Sequence, residues 1–387
     1  MSIKLKVAAI VIGLFVLAGA AVLWTTQSLY LTAIDRASAT SVATAQSAFA
    51  ALEQQDAEKL AAANDVLRSR TDLRDAFVAG DREKLFTLAE PIFNQLRENY
   101  AMTHLYFELP APESKIFLRV HAPDKFDDVN ARDTYKSSVE SGTYGIGKDL
   151  GKTAFALRAV HPWADESGKV VGYVETGQEI EEFLDIMSEQ SGDQYTLLLS
   201  KDRLDAAEWA TMRENRGDAN DWDRYEALVA AHSTGDAPRE AVVDTLDIGG
   251  LSDVGDVVTG IEGGADIVTG AFPVKNTMGE RVGAVVVAHD ISALQSQLAA
   301  ARTQTMLILS AVGVILVLVI VLMLNGLVFN RLDGMIEHMR DASVRLAGGD
   351  FDISMPASES NDEIGRFERF FATFIEAVSA TLKQLSK

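Results

Sequence analysis

Residues 115–124 read KIFLRVHAPD. The stretch alternates as a β-strand does, with Ile116, Leu118 and Val120 toward one face and Phe117, Arg119 and His121 toward the other. The first face asks for a hydrophobic core. The second joins an arginine and a histidine to a phenylalanine, where a solvated edge would carry Lys, Glu, Thr or Ser. An enclosed guanidinium needs an internal carboxylate or an anion from outside. The segments around the strand decide between them.

Upstream, residues 29–70 are Ala-rich and free of Gly and Pro, which predicts a long stalk helix. A second helical stretch over 75–99 is expected to break near Gly80-Asp81 and at Pro91. Strands follow over 103–109 (THLYFEL), 115–121, 154–163 (AFALRAVHPW) and 170–177 (VVGYVETG), with turns at 110–114 and 164–169. A short helix is predicted over 130–142 (NARDTYKSSVESG). This order suits an α+β fold, an antiparallel sheet with helices packed on one face. The other face would then be roofed by the short helix, and Phe117, Arg119 and His121 would share the space beneath it.

The candidate ligand contacts on that face are Arg119, His121, Arg132, Tyr135, Arg158, Tyr106 and Glu175. Arg132 and Tyr135 stand at i, i+3 on the short helix. Internal roles remain open for each. Arg119 could pair with Glu108 or Glu175, Arg158 could form a cross-strand ion pair, and His121 could cap a strand end before Pro123. Three arginines and a histidine favour a small anion such as a carboxylate. Glu175 among aromatic rings could equally receive an amine.

A second module is expected from strands at 194–200 (QYTLLLS), 240–246, 256–260, 266–273 and 281–289 (RVGAVVVAH), with a charged helical insertion over 202–231. The echo DVVTG and DIVTG lacks the acidic spacing of a calcium loop. The histidines lack zinc-ligand spacing, so neither metal nor cofactor is expected. Asp290-Ile291-Ser292 opens the next helix.

Two uncharged apolar runs, at 7–24 and 306–329, flank these modules, each about long enough to cross a bilayer. The first is read as an uncleaved span and not a signal peptide, because a helical pattern continues straight out of it. Lys4 and Lys6 before the first run, and Arg331, Arg340 and Arg345 after the second, place both ends in the cytoplasm. The residues between the spans then lie outside, in a bacterial periplasm. Zero cysteines suit an external domain whose core is large enough to dispense with disulfides. A net charge of −21 argues against nucleic acid as a partner.

Beyond the second span, Val328, Leu332, Met335, Met339, Ala342 and Leu346 form a heptad seam. Gly348-Gly349-Asp350 ends it, Phe351, Ile353 and Met355 alternate in a connector, and Asp362-Glu363-Ile364-Gly365 opens a second amphipathic helix. Two such short helices need partners in water. This arrangement resembles the HAMP domain of bacterial transmembrane receptors, through the D-E-I-G start of its second helix. It departs from that family in lacking a proline near Arg331. The resemblance implies a parallel four-helix bundle in a homodimer.

The outer region resembles the double Cache class of bacterial receptors, carried by PIFNQL, THLYFEL and FLRVHAPD and by Arg132-Asp133-Thr134-Tyr135. The Asp-Gly turn usual before the F-L-R strand is here Pro112-Glu113-Ser114. The resemblance implies two PAS-like modules on a stalk helix. The resulting domain plan is a cytoplasmic start (1–6), span one (7–28), and a sensor over 29–305. Within the sensor, 29–75 is stalk, 76–192 the distal module and 193–295 the proximal module. Span two (306–329), a HAMP domain (330–383) and the start of an output coiled coil or a C-terminal tail (384–387) follow.

The expected function is that of a two-pass inner-membrane receptor, dimeric and non-enzymatic. It would bind a small ligand outside and pass the signal through Asp290, Gly349, Asp362, Glu363 and Gly365 to a kinase, cyclase or chemotaxis partner. That partner would be in cis if the chain continues and in trans if it ends here. A ligand-independent scaffold acting on such a partner is the alternative, and it would fill its pocket with its own side chains. No Gly-x-Ser-x-Gly, metal triad or nucleophile–base pair supports a hydrolase.

Overall fold

The structure, a computed structural model, describes residues 3–151, 154–236, 238, 240–259, 266–323, 325–326, 330–350, 352–355, 359–361 and 363–385. The chain forms two compact units, Leu31–Ser296 and the combination of Met1–Tyr30 with Gln297–Lys387.

One helix, α1, runs from Ile3 to Arg68. Within the first unit it buries Ala45, Phe49, Leu60 and Leu67. Helix α2 (Thr71–Val78) and helix α3 (Arg82–Tyr100) follow, with Asp81 capping α3 by accepting from the Lys84 amide at 3.0 Å. Pro91 lies inside α3, so it does not break the helix as expected. The left-handed Ala101 ends it instead (φ 57°).

The first sheet has order β2-β1-β5-β4-β3, all antiparallel, from β1 (His104–Glu108), β2 (Ile116–Arg119), β3 (Gly145–Leu150), β4 (Phe155–Ala164) and β5 (Val170–Glu179). Strand β3, GIGKDL, was not foreseen from the sequence. Helix α4 (Asp133–Ser141) is shorter than expected and begins after Arg132, which is its N-cap. One sheet face carries Leu105, Phe107, Leu118 and Val174 into a core with Leu67, Leu73, Phe77, Leu85 and Phe93 of α1, α2 and α3.

The alternation of residues 115–121 breaks in β2. Phe107 pairs with Leu118, but Glu108 pairs with Ile116, leaving Phe117 as the extra residue of a bulge. Phe117 therefore turns into the same core as Leu118, edge-on to Phe77 at 5.2 Å. This corrects the expectation that Phe117 shares the space of Arg119 and His121.

After α5 (Glu181–Ser191) comes a second antiparallel sheet of order β7-β6-β10-β9-β8. Its strands are β6 (Gln194–Ser200), β7 (Leu228–Ser233), β8 (Asp256–Thr259), β9 (Ile267–Lys275) and β10 (Arg281–Asp290). Two expectations fail here. The insertion over 202–231 is α-helical only in α6 (Ala206–Arg216), with 3-10 turns at Lys201–Arg203 and Trp222–Arg224, and its end is β7, paired with β6. Residues 240–246 hold a short helix, α7 (Glu240–Asp244), and no strand. One face of this sheet packs on α1 in a core containing Phe49, Phe183, Leu197 and Val285. The other is filled by Tyr225, Leu228, Val243 and Leu251 against Leu198 and Val286.

Asp290 accepts from the Ser292 amide at 2.8 Å and so starts α8 (Ser292–Met323). Helices α1 and α8 are long and apolar enough to cross a membrane. In the second unit, α9 (Asn330–Ala347) ends at Gly349 (φ 84°). Ala342 and Leu346 of α9, Ile353 and Met355 of the connector, and Phe371 and Ile375 of α10 (Glu363–Leu385) form a small core. Gly365 is required sterically, since a Cβ there would lie 2.2 Å from the Ser360 carbonyl oxygen. Val328, Phe351 and Asp362 lie outside the described residues.

Candidate functional site

The second face of the first sheet is polar at its centre. Register puts Arg119 beside Tyr106, Tyr106 beside Glu175, and Glu175 beside Val160. The next row places His104 beside Gly177 and Gly177 beside Arg158. Helix α4 covers this face, and its N-cap directs Arg132 inward.

Glu175 is the hub. It is fully buried, accepts from Arg132 Nη1 at 3.1 and 3.2 Å, and pairs with Arg158 Nη1. Burial opposes its charge, but Arg132 and Arg158 outweigh burial and hold its pKa below the usual value. Glu108, also fully buried, is pushed well above the usual value by burial and by the Glu175 carboxylate. Its protonated form is thereby favoured, and Asn130 Nδ2 donates to its Oε1 at 2.6 Å.

Tyr106 is surrounded by cations. Arg132 Nη2 donates to its hydroxyl at 3.2 Å, and the guanidiniums of Arg132, Arg158 and Arg119 lie 4.6, 5.6 and 5.7 Å from its ring centre. His121 stands edge-on to both Tyr106 and His104 at 4.8 Å. Burial, followed by the charge of Arg158, lowers both imidazoles, His121 to about 4. Both are neutral at pH 7.

Six of the seven predicted residues thus meet around Tyr106: Tyr106 itself, Arg119, His121, Arg132, Arg158 and Glu175. Arg119 does not pair with Glu108 or Glu175 as considered. Its guanidinium binds Asp128 in a fork, at 2.7 and 2.5 Å, and donates to the Lys125 carbonyl at 2.7 Å. Tyr135 stands apart. Its hydroxyl donates to the Leu109 carbonyl at 2.9 Å and its ring packs edge-on to Tyr173 at 5.1 Å. The cross-strand ion pair considered for Arg158 is present.

Sequence reasoning missed Glu108, His104, Asn130 and Asp128 as members of the site. Glu108 and His104 were within reach, because they alternate with Tyr106 in β1. Asn130 and Asp128 lie in an irregular segment with no periodic signal.

Four buried side-chain atoms have no hydrogen-bond partner in the protein among the described residues: Glu108 Oε2, His121 Nδ1, Arg158 Nε and Trp209 Nε1. Three of them belong to this one cluster. Buried polar atoms are rarely left so, since each costs about 1–3 kcal/mol. Clefts of about 320 Å³, between α1 and α3, and about 250 Å³, beside Phe49, Lys148 and Phe272, lie elsewhere and are lined by none of the seven predicted residues.

Two five-stranded antiparallel sheets in tandem on one long helix, the first with a roofed polar face, define a double sensory domain. The chain belongs to the dCache_3 family, the double sensory domain of two-component sensor kinases, matched over residues 35–295. A comparison with curated protein sequences finds no match.

Among solved structures, the chain is similar to the periplasmic domain of Vibrio cholerae LuxQ (11% identity, TM-score 0.38, covering 64% of this chain and 98% of that one). It is also similar to the sensory domain of the Campylobacter jejuni chemoreceptor Tlp3 with isoleucine bound (11%, 0.40, 69% and 96%). A third similarity is to the Escherichia coli DcuS sensor domain (18%, 0.29, 34% and 95%).

Proposed function

We propose that the chain is a two-pass inner-membrane receptor that binds a small anion at the Tyr106 face of its first sheet. The observation that carries this is the convergence of unpartnered Arg158 Nε and His121 Nδ1 on one roofed face, among the described residues. Charge supports an anion. Arg119, Arg132 and Arg158 face two carboxylates held ionised, Glu175 and Asp128, while burial favours the neutral form of Glu108. Arg132 keeps 21% of its side chain exposed, so it is reachable from solution.

In this reading α1 and α8 cross the membrane, residues 31–296 lie in the periplasm, and both termini are cytoplasmic. Residues 330–383 form a HAMP domain that pairs with a second copy. Its core joins the connector to both helices as such a bundle needs. The signal passes from β10 through α8 to a cytoplasmic kinase, cyclase or chemotaxis partner, and the chain itself is not an enzyme. A family of sensory domains of two-component kinases supports that role. One observation favours a ligand-independent scaffold instead: two of the three guanidiniums already have an internal partner in Glu175.

The test is thermal melting of the full chain in nanodiscs against small carboxylates, phosphate, amino acids and amines at constant ionic strength. A ligand at a hundredfold excess over its dissociation constant stabilises by about 2.7 kcal/mol. Anion-induced shifts that disappear in Arg132→Gln support the receptor. A panel with no shift, or shifts from amines alone, removes the anion receptor, and the former favours the scaffold.

A further inference from the structure

Strand β3 carries two glycines that its neighbours require. A Cβ on Gly145 would lie 2.0 Å from the Thr134 carbonyl oxygen and 2.8 Å from the Ser138 nitrogen, so α4 rests directly on the strand. A Cβ on Gly147 would lie 2.5 Å from Thr277 Oγ1. Thr277 comes from the second sheet, in the turn between β9 and β10. Gly145, Gly147 and Asp149 alternate, so all three occupy one face of β3.

Asp149, buried at 5% exposure, grips both neighbours. Its Oδ2 accepts from the Thr134 amide at 3.2 Å and from Thr134 Oγ1 at 2.5 Å. Its Oδ1 accepts from Thr277 Oγ1 at 3.3 Å. Thr277 also donates twice to the Lys148 carbonyl, from its amide at 2.8 Å and its hydroxyl at 3.0 Å. The N-cap of α4, Arg132, makes no side-chain cap, because a guanidinium has no acceptor to offer the first amides of the helix. Asp149 supplies that cap from across the strand.

We propose that Asp149 is a positioning residue that latches the roof helix of the site to the β9–β10 hairpin. A shift of α4 then acts on Asp149, on Thr277, and on β10, which continues through Asp290 into α8. The inference rests on reading the Tyr106 face as the ligand site, since that gives α4 a reason to move. The coupling itself is a property of the ligand-free protein and can be measured there.

The experiment is amide hydrogen exchange on the full chain in nanodiscs, with no ligand added. Thr277→Val keeps the shape and removes the hydroxyl, whose one hydrogen is shared between the Lys148 carbonyl and Asp149 Oδ1. It is expected to raise exchange in the first turn of α4, residues 134–138, about fivefold, the effect of losing one ordinary hydrogen bond. Reciprocity requires Thr134→Val to raise exchange at residues 276–280 by a similar factor. Gly147→Ala, which displaces Thr277 and leaves Asp149 in place, should act as Thr277→Val does. Changes confined to the mutated side in both threonine variants would overturn the latch. A working latch with no hit in the ligand panel would instead sink the receptor reading and leave the latch standing.

Discussion

Two glutamates 67 residues apart in the chain show how neighbours set chemistry. Glu108 and Glu175 are both fully buried, yet burial and the neighbouring carboxylate push one toward its neutral acid while two arginines favour the charge of the other. Glu108→Gln therefore replaces an acid with its neutral isostere, and urea melts at pH 7 should change by less than about 1 kcal/mol. Glu175→Gln leaves Arg132 and Arg158 without their shared anion and should cost about 3–5 kcal/mol. Equal losses in the two variants would refute this division of roles. The pH dependence follows. His121 has a folded pKa of about 4 against 6.5 for the free side chain, so its contribution is complete above pH 6.5 and is lost as pH falls toward 4. At pH 5 the loss is about 2 kcal/mol. Glu108 opposes it, because a raised acid stabilises below its unfolded pKa and loses that contribution as pH climbs toward the folded one. Melting temperatures of Glu108→Gln from pH 7 to 4.5 should thus fall more steeply than those of the parent. Adding His121→Gln should flatten that fall, and an unchanged slope would assign it elsewhere.

At the level of elements, alternation made β1, β5, β6 and β10 legible, since each buries apolar residues at period two or as a continuous run. Five of the seven site residues were legible for the same reason, being placed by strands or by the start of α4, whereas His121 lies in the turn that follows β2, which ends at Arg119 and not at residue 121 as expected. What failed was set by tertiary contact. GIGKDL has no apolar alternation, because its glycines serve α4 and Thr277 and not a core of its own. LVAAHS continues a helix-like pattern, but pairing with β6 makes it β7. EAVVD has β-branched residues and still forms α7, which needs only Val243 to seal the second sheet. The bulge at Phe117 inverted one side chain that simple alternation had placed on the polar face. Gly145→Ala tests the β3 account. The added Cβ meets backbone atoms, which cannot rotate away, so α4 must lift, at about 3 kcal/mol. A urea titration showing a loss below about 0.5 kcal/mol would mean that α4 does not rest on the strand.

For the whole molecule, the distribution of exposed apolar side chains argues for a second copy. On α9 and α10, Ile336, Val344, Phe367, Phe370 and Phe374 remain at least 47% exposed, while the core between the helices is small. An amphipathic pair with so much apolar surface in water is poorly stable alone, and the proposed parallel second copy would cover it. The chain has no cysteine, so single substitutions report without background. On mild oxidation in membranes, Ile336→Cys and Phe370→Cys should give disulfide-linked dimers, whereas Glu337→Cys and Glu376→Cys, on polar positions, should cross-link far more slowly. The contrast is sharp because a disulfide requires Cα atoms within about 7 Å. If all four positions cross-link alike, the helices collide without a fixed interface. If none does, the apolar seam is covered by another partner, and the homodimeric bundle must be abandoned while the proposed ligand site in the first unit stands untouched.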